Sequence, residues 1–310
     1  RNPCMQVVIE DRYLKRNPHL AVSKPLHDVG PAGADSRIFP ISRAWTTSNL
    51  HAGQFTAACG VTAYWGASLP DDCKLNLFVS DPTGNLVHRI IPDIDRSIGA
   101  VLTAKPRRDS VEFLASPDEW FRPVNLTVGP VGGLYIVDMY RAVIEHPRWV
   151  PAELKDRKDL LLGNDRGRIY RITAPPIHGF IEPVRVNEKD FQNHPDLAIL
   201  NQWRGETVRR LLIEKENGEL ARSELRRALS LHKEIPGGAW LSGIEIAECL
   251  AAADGTGALD EELLLAVFRQ ETLMRKQKEW MPWSDEPGLS TAVRHSESRL
   301  RTSPKLRQAV

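Results

Sequence analysis

The sequence predicts a mainly β region followed by an α-helical region. Residues 1–175 contain many Pro and Gly and short runs of β-branched and aromatic residues, which is typical of strands joined by tight turns. Residues 193–280 are rich in Leu, Ala, Glu and Arg at helical spacing. A strand–turn–strand pattern also recurs within the first region, with its two copies 57 residues apart.

The composition limits the classes of function. The chain has 310 residues, with 41 Lys and Arg against 40 Asp and Glu, so no excess of charge points to a nucleic-acid partner. No apolar run of about 18 residues occurs, and the sequence therefore predicts no membrane span. The four cysteines are far apart and match neither a CxxC metal motif nor a CxxCH haem motif. The chain opens without Met, and we expect it to be a piece of a longer protein.

The repeat is clearest around two aspartates. The segments NLFVSDPTGNLVHR (76–89) and GLYIVDMYRAVIEHP (133–147) both reach an Asp after an apolar-aromatic pair, at Asp81 and Asp138. Each then continues through a short connection to an apolar pair and a histidine, His88 or His146.

Short alternating runs preceded by turn residues complete the pattern. They lie at 36–41 (SRIFPI), 84–90 (GNLVHRI) and 167–172 (GRIYRI). A period of about 50 residues that contains only short strands is typical of the blades of a β-propeller. The sequence therefore predicts part of a β-propeller in residues 1–175.

Antiparallel pairing places polar residues at one end of each predicted unit. The strand at 124–128 turns at GPVG (129–132) and returns over 134–137, so the start of one strand lies beside the end of the next. The result is a polar rim shared by neighbouring units. Its candidate ligand-binding residues are Arg122, Asp138, Tyr140, Arg141, Asp81 and Asn85.

The rest of the chain divides into three parts. Residues 176–192 are predicted to be a linker, because Pro and polar residues interrupt any period. Residues 193–280 are predicted to form paired helices, with Trp203, Leu211 and Leu212 packed between them. Residues 281–310 contain Ser, Arg and Pro with little apolar content, which predicts weak order.

Several segments together resemble the planctomycete-type membrane-bound dehydrogenase family. They are FTAACGVTAYWGASLPDD, NLFVSDPTGNLVHR, EFLASPDEWFRPVNLTVGP, LYIVDMYRAVIEHPRWVP and GNDRGRIYRI, and VDMYRAVIEHP and DRGRIYRI are the most specific parts. The resemblance implies a six-bladed propeller similar to that of the soluble glucose/sorbosone dehydrogenases, followed by HEAT-like helices. It also implies that this fragment holds the C-terminal blades and lacks the N-terminal ones, and that the protein is extracytoplasmic, either periplasmic or on the cell surface.

Our first functional hypothesis is an oxidoreductase-like propeller that follows from this resemblance. It would act on a sugar or polyol with pyrroloquinoline quinone and calcium, and would pass electrons to a cytochrome c module elsewhere in the parent chain. Arg122 and Arg141 would hold the carboxylates of the cofactor. Asp138 is the candidate metal ligand, and His146 and His88 are the candidate catalytic bases.

The second hypothesis is a non-catalytic propeller/HEAT binding module for glycan or protein. In this interpretation Asp81 and Asp138 cap strand ends, and Arg141 pairs with Asp138. The rim discriminates between the two hypotheses. An enzyme needs converging cations and a base there, whereas a binding module needs exposed aromatic and amide side chains.

Overall fold

A computed structural model shows two compact units. The first comprises Arg1–Ile9 and Ser23–Glu182, and the second comprises Glu10–Val22 and Pro183–Val310. The structure describes residues 2–9, 11–16, 19, 24–43, 53–95, 101–105, 110–144, 148, 152, 155–156, 158–174, 202–231 and 239–278. The predicted linker at 176–192 and the predicted weak order at 281–310 lie outside the described residues.

The first unit is built from short strands. They are β1 (Met5–Val7), β2 (Leu26–Asp28), β3 (Cys59–Tyr64), β4 (Asn76–Asp81), β5 (Leu86–Ile90), β6 (Pro92–Asp95), β7 (Val101–Ala104), β8 (Leu114–Ala115), β9 (Pro123–Val128), β10 (Leu134–Asp138) and β11 (Arg168–Ile172).

These strands pair into small antiparallel sheets. One sheet has four strands in the order β3-β4-β5-β8, and another has three in the order β11-β10-β9. Two further pairs, β1-β2 and β6-β7, stand as two-stranded sheets. Within the described ranges no closed barrel or propeller ring forms, so the fold is a mixed one of small antiparallel sheets and helices.

The four-stranded sheet is buried on both faces. Successive residues of a strand point to opposite faces, and Phe78 and Val79 of β4 are both fully buried. Phe78 packs with Tyr64 of its own sheet and with Leu126 of the three-stranded sheet. Val79 packs on the other face with Cys4 and other apolar side chains of the N-terminal segment. The sheet is therefore the middle layer of the first unit.

The first strands of the two sheets lie against each other. The Thr62 hydroxyl of β3 donates to the Leu126 carbonyl of β9 at 2.9 Å. Gly60 has φ +60, and a Cβ there would lie 2.6 Å from the Cα of Asn125, so only glycine permits this approach. The Tyr64 hydroxyl adds a link by donating to the Gly132 carbonyl at 2.7 Å.

One predicted strand is wrong. The run at 36–41 contributes only an isolated bridge between Arg37 and Gln54. Two hydrogen bonds form this bridge, from the Ile38 N–H to the Gly53 carbonyl and from the Phe55 N–H to the Ser36 carbonyl, both at 3.0 Å. The next N–H, that of Phe39, donates to the Glu112 carboxylate at 2.9 Å. Pro40 has no N–H that could donate to a neighbouring strand.

The second unit contains the helices. They are α1 (Asp11–Arg16), α2 (Gln202–Glu214), α3 (Gly218–Leu231), α4 (Ala239–Gly255) and α5 (Glu261–Lys278). Leu212, Leu225, Ile246 and Leu250 form the centre of one apolar core with α5 residues such as Val267. Leu212 is buried, while Trp203 and Leu211 are half-buried.

Side-chain caps and an ion pair define these helices. The Asn217 side chain accepts the Leu220 N–H at 3.2 Å before α3, and Asp260 accepts the Leu263 N–H at 2.9 Å before α5. Asp260 is therefore the N-cap of α5. Arg227 of α3 also donates to the buried Glu245 of α4 at 2.9 Å. No described helix has the length and apolarity that a bilayer crossing requires.

The four cysteines are free thiols, and their burial predicts low reactivity. Burial raises the pKa of Cys4 and of Cys59 to about 11, and it also raises the pKa of Cys73 and of Cys249. Because the thiolate is the reactive form, a thiol with pKa 11 is about one part in a thousand reactive at pH 8. A disulfide-exchange dye should therefore react slowly with the native chain at pH 8, and about tenfold faster for each pH unit up to 10.

Protein in denaturant should give four rapidly reacting thiols as the control. A native thiol that reacts as fast at pH 8 as the denatured ones would contradict the burial of that cysteine.

Candidate functional site

Asp81 organises the turn at the end of β4. Its Oδ1 accepts the backbone N–H groups of Thr83 at 2.9 Å and Gly84 at 2.8 Å. Its Oδ2 accepts the N–H groups of Thr56 at 3.0 Å and Ala57 at 3.3 Å, just before β3 begins. Burial raises the pKa of this carboxyl group, and the four N–H donors oppose that shift. Asp81 thus ties the end of one strand to the start of its partner.

Asp138 has the same function at the end of β10. Its Oδ1 accepts the N–H of Tyr140 at 2.8 Å and the N–H of Arg122 at 2.7 Å, just before β9 begins. The register confirms the equivalence, since Leu77–Asp81 pairs with Leu86–Ile90 as Leu134–Asp138 pairs with Arg168–Ile172. Asp81 and Asp138 therefore occupy matching positions in the two sheets.

Arg122 connects these two turns. Its guanidinium donates to the Pro82 carbonyl at 2.8 Å, one residue past Asp81. It also donates to the carbonyls of Arg141 at 3.1 Å and Ala142 at 2.9 Å, past Asp138. Arg122 is only 4% exposed. Burial lowers the pKa of the guanidinium, while the neighbouring carboxylates, first of all that of Glu119, favour its charged form.

Asn85 is also buried and bonded to backbone. Its amide donates to the carbonyls of Glu119 at 3.1 Å and Phe121 at 2.6 Å, and its Oδ1 accepts from Ser42 at 2.6 Å. Its φ of 55 lies in the left-handed region, which Asn tolerates. The structure thus brings Asp81, Asn85, Arg122 and Asp138 together as predicted, but it buries their polar groups.

Arg141 differs from the expectation that it pairs with Asp138. It donates instead to the Leu160 carbonyl at 3.1 Å, within the connection that precedes β11. Oδ2 of Asp138 has no hydrogen-bond partner, and neither does Nε of Arg141. The Asp138 carboxylate is held by backbone N–H groups, so it needs no guanidinium to fix its orientation.

The structure describes only one of the two candidate histidines. His88 lies on β5, is buried, and its Nδ1 is 2.8 Å from Glu112 Oε2, with Phe55 edge-on to its ring. His146 lies outside the described residues. The expected match between the two is wrong, because the third strand of the second sheet is β11 and Tyr170 is the residue that corresponds to His88.

An aromatic and cationic cluster lies beside the buried turns. We call Asp118, Trp120, Tyr140 and Arg168 the rim cluster. The Trp120 ring meets the Tyr140 ring edge-on at 5.8 Å, and the Arg168 guanidinium lies 3.6 Å from the centre of the Tyr140 ring. Asp118 accepts the Trp120 N–H at 2.9 Å. All four side chains are exposed or half-buried, unlike those of the buried turns.

Tyr140 occupies an unusual backbone position in this cluster. Its φ of 47 lies in the left-handed region, where a bulky residue is rare and strained. The Asp138 carboxylate holds its N–H, and Gly163 packs so closely on the Tyr140 carbonyl that a Cβ would lie 2.1 Å from the oxygen. A hydrogen bond with Asp118 raises the pKa of the Tyr140 phenol. The ring is therefore held in one orientation.

Sequence reasoning found Tyr140 but missed Trp120, Asp118 and Arg168. The segment SPDEWF contains a signal for Asp118 and Trp120, because an Asp side chain often accepts the N–H two residues further on and forms a local turn. This turn lies just before β9. The stack of Arg168 on Tyr140 depends on the pairing of β10 with β11 across the connection at 139–167. No local pattern indicates that contact.

The first unit thus consists of small stacked sheets that carry paired aspartate turns and the rim cluster. The same chain also contains a helical unit. Residues 1–175 match the model of a family described as a domain of unknown function, DUF7133, and the chain belongs to that family. Neither the curated proteins nor the solved structures contain a match to the chain.

Replacing Arg122 tests its role as the link between the two turns. Arg122→Met keeps the length of the side chain but leaves one buried and two part-buried carbonyls without their donor, so the free energy of unfolding should fall by about 3 kcal/mol. Chemical denaturation monitored by circular dichroism measures this change. Arg168→Met is the matched control, and because Arg168 is exposed its stability should stay within about 0.5 kcal/mol of the original. Equal stability of the two variants would contradict the bracing role.

Proposed function

We propose that this chain is a non-catalytic binding module that holds a carbohydrate on the rim cluster. The observation that carries the proposal is the contrast in exposure between two neighbouring sets of side chains. Asp81, Arg122 and Asp138 are buried and bonded to backbone. The Trp120 and Tyr140 rings nearby are partly exposed.

The rim cluster has the chemistry that sugar recognition uses. An accessible indole offers an apolar face on which the C–H groups of a sugar ring can lie, and Trp and Tyr supply such area at little cost in side-chain entropy. Asp118 and Arg168 flank the rings with an acceptor and a donor for hydroxyl groups. Contacts within the cluster hold Tyr140 and Arg168 in place before any ligand arrives, which favours affinity.

The buried turns do not fit the role of a cofactor clamp. A guanidinium that holds a carboxylate presents two parallel N–H groups to it. Arg122 directs its Nε and both terminal nitrogens at carbonyls of the chain itself. The carboxylates of a quinone cofactor would therefore compete with three internal hydrogen bonds for this guanidinium.

We further propose that the two sheets are neighbouring blades of a β-propeller, as the resemblance to the planctomycete-type dehydrogenases implies. Three features support this. The sheets stack face to face through Phe78 and Leu126, their first strands lie side by side at Gly60 and Asn125, and their aspartates match in register. In this proposal the helices of the second unit are a HEAT-like array that docks a partner.

Affinity electrophoresis in gels that contain soluble xylan, mannan or a cellulose derivative tests the carbohydrate proposal. The wild-type chain should be retarded by at least one of them. Trp120→Ala should weaken that binding about 30-fold, because a Trp at the centre of a binding surface contributes roughly 2 kcal/mol or more. Tyr140→Asn should also abolish the retardation while leaving stability within about 1 kcal/mol, since Asn tolerates the left-handed backbone.

Trp65→Ala is the control, because Trp65 is a half-buried Trp of the same unit outside the rim cluster. It should bind as the wild type does. Retardation of Trp120→Ala equal to that of the wild type, or no retardation of the wild type in any gel, would contradict the proposal.

The oxidoreductase hypothesis is a second candidate, and one observation favours it. Oδ2 of Asp138 has no hydrogen-bond partner, although Asp138 is only 1% exposed. A carboxylate oxygen in that state suits a calcium ion, which the resemblance implies beside a quinone. The described residues contain no group of three His, Cys, Asp or Glu that could hold a metal, so main-chain carbonyls would have to complete the coordination.

Calcium binding gives this candidate a direct test. At a calcium concentration a hundredfold above Kd, the ion should stabilise the folded chain by about 2.7 kcal/mol, visible as a higher Tm. Asp138→Asn keeps an oxygen for the N–H groups of Arg122 and Tyr140 but removes the anionic ligand, so it should lose the calcium effect. A Tm that calcium leaves unchanged, with pyrroloquinoline quinone present or absent, would remove the support for this candidate.

A further inference from the structure

We infer that the outer edge of β11 accepts an extended acidic segment of a partner protein as a fourth antiparallel strand. This goes beyond carbohydrate binding, because it uses the main chain of β11 and the side chains of Ile169 and Arg171.

The two sheets differ by one strand. The first has β8 on the outer side of β5, with Ala115 opposite Leu86 and Leu114 opposite Val87. The second has β11 in the position of β5, and among the described residues no strand lies on its outer side. Since the pairing with β4 and β10 is in the same register, Leu86 corresponds to Arg168 and Val87 corresponds to Ile169.

The missing strand leaves apolar surface uncovered. Val87 is fully buried beneath its neighbours, whereas Ile169 is 67% exposed. An edge strand with an exposed β-branched residue and unpaired main-chain groups is a template for another strand. The matching sheet shows what covers such an edge in this fold, namely a short extended segment with an apolar residue, Leu114, opposite Val87.

The charge of β11 selects the kind of segment. The strand reads Arg-Ile-Tyr-Arg-Ile, and both arginines are exposed. Opposite charges directly across an antiparallel pair are favourable and like charges are not. A second copy of β11 would bring arginines close to one another in antiparallel pairing, so an acidic partner is favoured over self-association.

The pairing also predicts the order of residues in the segment. The two observed β5–β8 pairs set the register opposite Leu86 and Val87, and an ideal antiparallel ladder continues it to the positions of His88 and Arg89. On β11 these positions are Tyr170 and Arg171. A segment that reads Glu-Phe-Leu-Glu would therefore place its glutamates opposite Arg171 and Arg168, and its Leu opposite Ile169.

Binding of a fluorescein-labelled peptide GSEFLESG to the full chain, followed by fluorescence anisotropy, tests the inference. The wild type should bind it, and a peptide with Lys in place of both Glu should bind at least about fivefold more weakly. Arg171→Glu should remove this preference, because each peptide then makes one favourable and one unfavourable charge pair with positions 168 and 171. Ile169→Lys should weaken binding of the Glu peptide at least about fivefold, because a charged residue at an edge opposes strand addition.

Val111→Lys is the matched control, since Val111 has the same 67% exposure and lies outside any strand. It should bind the peptide as the wild type does. A peptide with N-methyl groups on the Phe and Leu nitrogens should lose binding, because the main-chain hydrogen bonds supply the affinity.

Three results would overturn the inference. Equal binding of the Glu and Lys peptides to the wild type would remove the charge selection. Amides of β11 that are already protected from hydrogen exchange, together with no peptide binding, would mean that another segment of the same chain covers the edge. Dimers in sedimentation that Ile169→Lys dissociates would assign the edge to a second copy. Failure of carbohydrate binding alone would leave this inference standing, because Ile169 and Arg171, the two residues that are varied, lie outside the rim cluster.

Discussion

The first unit depends on one buried cation. The Arg122 guanidinium reaches the turn after Asp81 in one sheet and the turn after Asp138 in the other, so it fixes two strand ends that are far apart in the chain. Each aspartate in turn holds the start of the strand beside it. A charge in this position is tolerable only because backbone carbonyls surround it and several carboxylates favour it. The other contacts between the sheets are the apolar cluster around Phe78 and the hydrogen bonds of Thr62 and Tyr64.

This arrangement separates the polar residues at the strand ends into two sets. The inner set, Asp81, Arg122 and Asp138, forms its hydrogen bonds with backbone groups and holds the sheets together. The outer set consists of the aromatic rings and charges around Tyr140, whose strained backbone is held by the inner set through Asp138. A ligand that binds the outer set therefore contacts a surface whose geometry is fixed by the core rather than by flexible loops.

Much of the fold follows from local patterns, and the failures have physical causes. Strands β4, β5, β9 and β10 follow from period-two alternation and from glycine turns, and the match of Asp81 with Asp138 follows from the repeat itself. The run at 36–41 has the same alternation, but the hydrogen bond of Phe39 to Glu112 and the missing N–H of Pro40 end the pairing after a single bridge. Burial of Arg122 and the stack of Arg168 on Tyr140 depend on contacts between distant segments, which no local pattern contains.

The aspartate turn also frees the chain that follows it. Between Asp81 and β5 the connection is 82–85, whereas between Asp138 and β11 it is 139–167, yet the register of the third strand is the same. Lengthening a closed loop from four to 29 residues costs only about 2 kcal/mol of entropy. Because Asp138 ends the strand locally, evolution can insert or remove whole segments after it without shifting a single pair in the sheet. Each turn of this kind is a point at which a longer loop can be inserted while the strands of the sheet keep their register.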